Sequence, residues 1–117
     1  MNTRRASGQG AGGRIRAELL TWPGVSAEPH RFGGIQYSYG RKELGHVHGD
    51  RLADLPFPRA IHDQLIAEGR ADPHHVLPET GWVSRWIESD DEAPDVITLF
   101  RLNYERYLEA DKSRTSP

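Results

Sequence analysis

Between residues 29 and 57 the chain is cut into four short stretches by Gly33-Gly34, Gly40-Arg41-Lys42 and Gly49-Asp50, and no other feature limits its fold as much. The connection at 40–42 is three residues long and Gly-bearing, which suits a hairpin, so the stretch after it pairs back on the one before. Ile35, Tyr37 and Tyr39 alternate with Gln36 and Ser38, a period of two that buries one face. Strands are expected at 29–32, 35–39, 43–48 and 52–57. The last places Ala53, Leu55 and Phe57 on one face before Pro56 and Pro58 end it.

Helices frame this meander. Ile15 and Leu19 stand at i,i+4 ahead of the Pro23-Gly24 stop, which predicts a short amphipathic helix. Pro58 suits the first turn of a helix running to Glu68, with Ile61 and Leu65 in register and Gly69 past its end. A strand is expected over 81–87. A final helix over 91–110 carries Val96, Ile97, Phe100, Tyr104, Tyr107 and Leu108 as one apolar stripe, with Arg101 and Glu105 as an exposed pair. The expected order is α-β-β-β-β-α-β-α, a two-layer α+β domain with an antiparallel sheet and flanking helices.

The 117 residues suit one domain. Residues 1–13, rich in Gly with almost nothing apolar, are expected to be a disordered arm; 14–110 form the folded unit and 111–117 a polar tail. No apolar run approaches a membrane span and no signal-peptide pattern opens the chain, so a cytoplasmic protein with no membrane partner is expected. With no cysteine there is no disulfide framework, zinc finger or thiolate nucleophile, and any metal must be held by His, Asp or Glu. A net charge of -2 argues against nucleic acid, which Arg4, Arg5, Arg14 and Arg16 would otherwise contact. No Walker loop, G-x-S-x-G, H-E-x-x-H or dinucleotide fingerprint is present.

The sharpest local feature is Glu43-Leu44-Gly45-His46-Val47-His48. His46 and His48, two apart on a strand, point to the same face, so both imidazoles can converge on one ligand or ion. A metal held by His46 and His48 needs a third ligand, for which His74, His75, Asp50 and Asp54 are candidates. The ordinary alternative is one half-buried, hydrogen-bonded His and one solvated His. Glu43 has the wrong parity and reaches this face only if Gly45 forms a bulge. Adjacent side chains diverge in a loop, so of His74 and His75 one is expected to face a pocket, and His75 is preferred. As a general base it requires an orienting carboxylate, for which Asp50, Asp54 and Glu79 are available. His30 and His62 receive no role. Tyr37, Tyr39, Trp82 and Trp86 read first as core and second as an aromatic pocket wall.

The segments E-L-G-H-V-H (43–48), D-L-P-F-P (54–58), H-H-V-L-P (74–78), G-W-V-S (81–84) and L-F-R-L-N-Y (99–104) together resemble the small bacterial and fungal luciferase-like domain family, over residues 22–107. That family takes its name from a distant similarity to the luciferase of bioluminescent fungi. The features alike are Glu43, His46 and His48, a segment near His75, and a strand bearing Trp82. The fungal enzyme oxygenates a hydroxylated pyrone with molecular oxygen and no known metal. The resemblance therefore implies a pocket for a small aromatic ligand, with His46, His48 and His75 as proton-transfer or polarising groups and Glu43, Trp82 and Tyr37 as ligand-binding residues. It leaves any cofactor unassigned. Two departures from that enzyme are expected to matter: no N-terminal membrane segment is anticipated, and Leu55-Pro56 stands where the enzyme has Leu-His. A noncatalytic small-molecule or protein-interaction module is the rival reading, and the sequence leaves the oligomeric state open.

Overall fold

The structure, a computed structural model, describes residues 10–115. The elements are α1 (Ala11–Leu19), β1 (Val25–Pro29), β2 (Ile35–Tyr39), β3 (Lys42–His48), β4 (Leu52–Pro56), α2 (Arg59–Ala67), β5 (Asp72–Pro73), β6 (Trp82–Trp86), a 3-10 turn (Asp90–Glu92) and α3 (Ala93–Thr115). Apart from the two-residue β5, this is the expected order. The strands form one antiparallel sheet in the order β1-β2-β3-β4-β6-β5. The first strand lies earlier than expected because the turn closes over 30–34, where the N–H of His30 bonds to Gly34 O and that of Gly33 to His30 O.

One face of the sheet is apolar. Tyr37, Leu44, Val47, Leu55 and Val83 pack with Ile15 and Leu19 of α1 and Val96, Leu99, Phe100 and Tyr104 of α3 in a single core. Fully burying each large apolar side chain contributes about 1.5–3 kcal/mol, which makes this layer the main source of stability.

Two expected boundaries move. Of the arm expected at 1–13, residues 1–9 lie outside the described residues, but Ala11 already begins α1 and is fully buried. Composition pointed to disorder there, yet distant carboxylates take the free N–H groups of the first turn: Asp90 accepts from Ala11 (2.9 Å) and Asp50 from Gly12 (2.7 Å). A Cβ at Gly12 would lie 2.3 Å from Gly49 O, so this Gly serves close packing rather than looseness. At the other end, α3 continues to Thr115 through most of the expected tail, with Tyr39 Oη donating to Asp111 (2.6 Å).

Register directs the rest of the chemistry to the opposite face. His46 pairs with Asp54 across β3 and β4, and Asp54 with Ser84 across β4 and β6, so the three stand in one row. Between Tyr37 and Ser38 the β2–β3 register slips, because Gly45 opposes Tyr37 while Glu43 opposes Ser38. Leu44 is the extra residue of a bulge. Its carbonyl accepts from buried Asn103 Nδ2 (3.1 Å) and that of Glu43 from Tyr107 Oη (2.8 Å), so α3 takes up both bulge carbonyls.

Candidate functional site

The bulge decides which residues can meet. By shifting parity within β3 it brings Glu43 to the face that His46 and His48 already share, and His46 Nδ1 donates to Glu43 Oε2 (2.8 Å). Gly45 makes this possible: its φ is +155°, and a Cβ there would lie 2.7 Å from Asp54 O and 2.9 Å from Phe100 Cε1.

Asp54 is the hub. It is 1% exposed, and Ser84, itself fully buried, donates from Oγ to its Oδ1 (2.7 Å). The other oxygen, Oδ2, lies 3.2 Å from His75 Nε2, 3.4 Å from His46 Nε2, 3.6 Å from His48 Nε2 and 3.7 Å from His74 Nε2. Ser84 also fixes the histidine loop, since its Oγ accepts from the backbone N–H of His75 (3.1 Å). His30 completes the cluster from beyond β1, stacked on His46 with ring centroids 3.9 Å apart.

Charge follows from this arrangement. Burial works against a positive His46, but hydrogen bonding to Asp54 and Glu43 outweighs it and raises its pKa to about 9. Burial likewise opposes a negative Asp54, yet its contacts with His46, Ser84 and His75 bring it down to about 2. At neutral pH the pair is an imidazolium and a carboxylate. Burial lowers the pKa of His30 and of His74, with neighbouring imidazoles adding to the effect.

Above the hub lies an open cleft of about 530 Å³. The five histidines, Glu43, Asp54 and Trp82 form its floor and walls; Phe32, Val76 and Leu77, all strongly exposed, form an apolar lip. The Trp82 ring stands 5.5 Å from that of His46 and 6.0 Å from that of His74, while Trp86 meets His75 edge-on at 5.8 Å.

The structure thus brings together His46, His48, His75, Glu43 and Trp82. Tyr37 is a correction: it is 1% exposed and edge-on to Phe100, within the core beneath the sheet, because its place on β2 gives it the parity of the helix face. Tyr39 likewise packs against Tyr104. Of the carboxylates weighed as partners, Asp54 is at the site and Asp50 is engaged at the start of α1. The expectation that only one of His74 and His75 faces the pocket also fails. Their rings stack at 4.5 Å, because His74 Nδ1 accepts from the backbone N–H groups of Val76 (3.1 Å) and Leu77 (3.0 Å), which folds the loop over its own side chain. His30 and Ser84 were missed. Gly45 inside a strand was the available signal for the bulge, whereas nothing local to residues 28–34 marks His30 as a partner of His46.

An α+β domain with its helices on one face of an antiparallel sheet and a histidine-lined cleft on the other is the class defined by fold and site. Residues 41–103, more than half of the chain, match the model of the Luciferase domain, and the protein belongs to that family. The matched span runs from β3 to α3 and includes Glu43, His46, His48, Asp54, His74, His75, Trp82 and Ser84. No curated protein and no solved structure matches the chain. No helix among the described residues is long and apolar enough to cross a membrane.

Proposed function

We propose that the cleft binds a small hydroxylated aromatic molecule and removes its hydroxyl proton, giving an electron-rich anion that dioxygen can then oxidise, an oxygenase-like activity. One observation carries the reading: a single buried carboxylate oxygen, Asp54 Oδ2, organises the imidazoles at the floor of a cleft whose lip is apolar. The Trp82 face and the lip at Phe32, Val76 and Leu77 suit a flat ring. The His46 imidazolium supplies fixed positive charge for the anion that forms.

His75 is the proton acceptor in this scheme. Its Nε2 is hydrogen-bonded to Asp54, which holds the tautomer with Nδ1 unprotonated; Nδ1 has no hydrogen-bond partner among the described residues, and the side chain is 33% exposed in the cleft. His48 Nε2, 3.6 Å from Asp54 Oδ2, is oriented less closely.

The test is titration of the protein with hydroxylated pyrones and phenols, and with their O-methyl ethers, monitored by calorimetry and by the ligand's absorption. The expected result is that hydroxylated ligands bind and shift to their anionic spectrum, the ethers do neither, and His75→Gln binds without the shift. An oxygen electrode then reports whether the bound anion consumes dioxygen. Equal binding of phenol and ether with no spectral change would overturn the proton-transfer reading and leave a noncatalytic binding module.

A further inference from the structure

We propose that His46 Nε2, His48 Nε2 and Asp54 Oδ2 form a three-ligand seat for one divalent first-row transition-metal ion, with Glu43 holding His46 from behind. Three groups of side chains here are spaced to share an ion: His30–Glu43–His46, His46–His48–Asp54 and Asp54–His74–His75. Hydrogen bonds to the backbone separate them. His74 Nδ1 accepts from the N–H groups of Val76 and Leu77, so the ring's proton is on Nε2 and no lone pair there faces Asp54. His30 Nδ1 accepts from the N–H of Phe32 (3.2 Å), which places its proton on Nε2 in the same way. Each of these two groups therefore has a ring whose free lone pair is committed to the backbone, whereas in His46–His48–Asp54 no backbone bond stands in the way and an ion need only displace the Nε2 proton that His46 carries in the ion-free protein.

In that group the outer contacts suit an ion. His46 gives its Nδ1 proton to Glu43, the carboxylate–histidine arrangement that orients a metal-bound imidazole and raises its basicity. Asp54 is aimed by Ser84 through Oδ1, leaving Oδ2 for the ion, and an ionised oxygen has lone pairs enough to keep its bond from His75 as well. The spacing of Asp54 to both imidazoles fits: ligand atoms about 2.0–2.2 Å from one ion at angles of 90–120° stand about 2.8–3.8 Å apart. Asp54 Oδ2 is 3.4 Å from His46 Nε2 and 3.6 Å from His48 Nε2. Two imidazoles and one carboxylate suit borderline ions such as Zn²⁺, Fe²⁺ or Co²⁺ rather than Mg²⁺ or Ca²⁺, and three protein ligands leave positions open towards the cleft. The seat requires no organic ligand; an ion on His46 Nε2 would take the place of the imidazolium charge, so the seat describes the ion-bound cleft and the proton-transfer reading the ion-free one.

The experiment is calorimetric titration of chelator-stripped, untagged full-length protein with Zn²⁺, together with the visible absorption of the Co²⁺ form, with no organic ligand present. One ion per chain is expected, with Co²⁺ bands of a site of fewer than six ligands. His48→Ala and Asp54→Asn should each weaken binding at least tenfold, Glu43→Gln about 10–100-fold, and His74→Gln less than threefold. Circular dichroism shows that each variant is folded; partly exposed His48 gives the variant least exposed to misfolding. Absence of stoichiometric binding, unchanged affinity in His48→Ala, or loss in His74→Gln equal to that in His48→Ala would each overturn the assignment. None of these results bears on ligand deprotonation, which His75→Gln reports separately.

Discussion

The two faces of the sheet are built from alternate residues of the same strands, yet they obey opposite rules. On the helix face, Tyr37, Val47, Leu55 and Val83 are held by area and shape, and a neighbour's exact chemistry matters little beyond its volume. On the cleft face, His46, Asp54 and Ser84 are held by named atoms: each is buried, each is polar, and each relies on a specific polar partner. The first face makes the domain stable, and the second is affordable only because of the first.

The clearest way to break the symmetry of that comparison is Phe100→Ala. This fully buried ring touches Tyr37 and lies beneath Gly45, so the cavity should cost about 3–5 kcal/mol, read by urea unfolding. Provided that the variant still folds, its pH dependence should stay that of the parent, because no titrating group of the cleft is removed.

Gly45→Ala tests the single point where the faces meet. An added methyl group would press on Asp54 O and Phe100 Cε1 at a backbone angle that L residues avoid, and we expect a loss of about 2–3 kcal/mol. Unlike Phe100→Ala, it should also separate Glu43 from His46, seen as loss of the high pKa of His46 by NMR titration. An intact His46 titration in a destabilised Gly45→Ala protein would show that the bulge does not set the site.

Asp54→Asn removes the charge and keeps the shape. In the ion-free parent, the raised pKa of His46 adds stability that is fully present below about 6.5 and lost as pH climbs through 9. The lowered pKa of Asp54 adds stability that is present above about 4 and lost as pH falls through 2. Stability should thus be greatest between about pH 4 and 6.5 and decline on either side, each limb being of the order of 2 kcal/mol. In Asp54→Asn the alkaline limb should shrink towards what Glu43 alone supports, and the acid limb should lose Asp54's share. Urea midpoints from pH 3 to 10 would show it; parallel curves for the two proteins would mean that the carboxylate is not what charges His46.

Much of this is legible in the sequence. Period-two alternation and Gly punctuation specify the meander, because they are local. The apolar stripe of the last helix specifies its buried side in the same way. The convergence of His46 with His48 also follows from strand parity alone. What escaped the sequence was non-local. Glu43 depends on a bulge whose carbonyls are taken by Asn103 and Tyr107 some sixty residues away. His30 depends on the β1–β2 turn, and the N-terminal Gly residues are ordered by carboxylates at positions 50 and 90. Tyr37 misled because an aromatic at strand spacing suits either face, and only its partners distinguish them.

The smallest effect on stability should accompany the most selective effect on function. His75→Gln alters a side chain that is 33% exposed, whose anchoring backbone N–H to Ser84 survives the substitution, so unfolding should change by no more than about 0.5 kcal/mol. Gln can still donate to Asp54 but has no basic nitrogen, and so the anionic spectrum of a bound phenol should disappear while its affinity falls by less than tenfold. Phe100→Ala should do the reverse, lowering stability while leaving the bound phenol ionised. A double cycle of the two makes the separation quantitative. Additive effects on unfolding, with the spectral change tracking only residue 75, mean that the two faces act independently across the sheet. A coupling above about 0.5 kcal/mol would instead show that packing under Gly45 tunes the cleft, and the sheet would be the link between them.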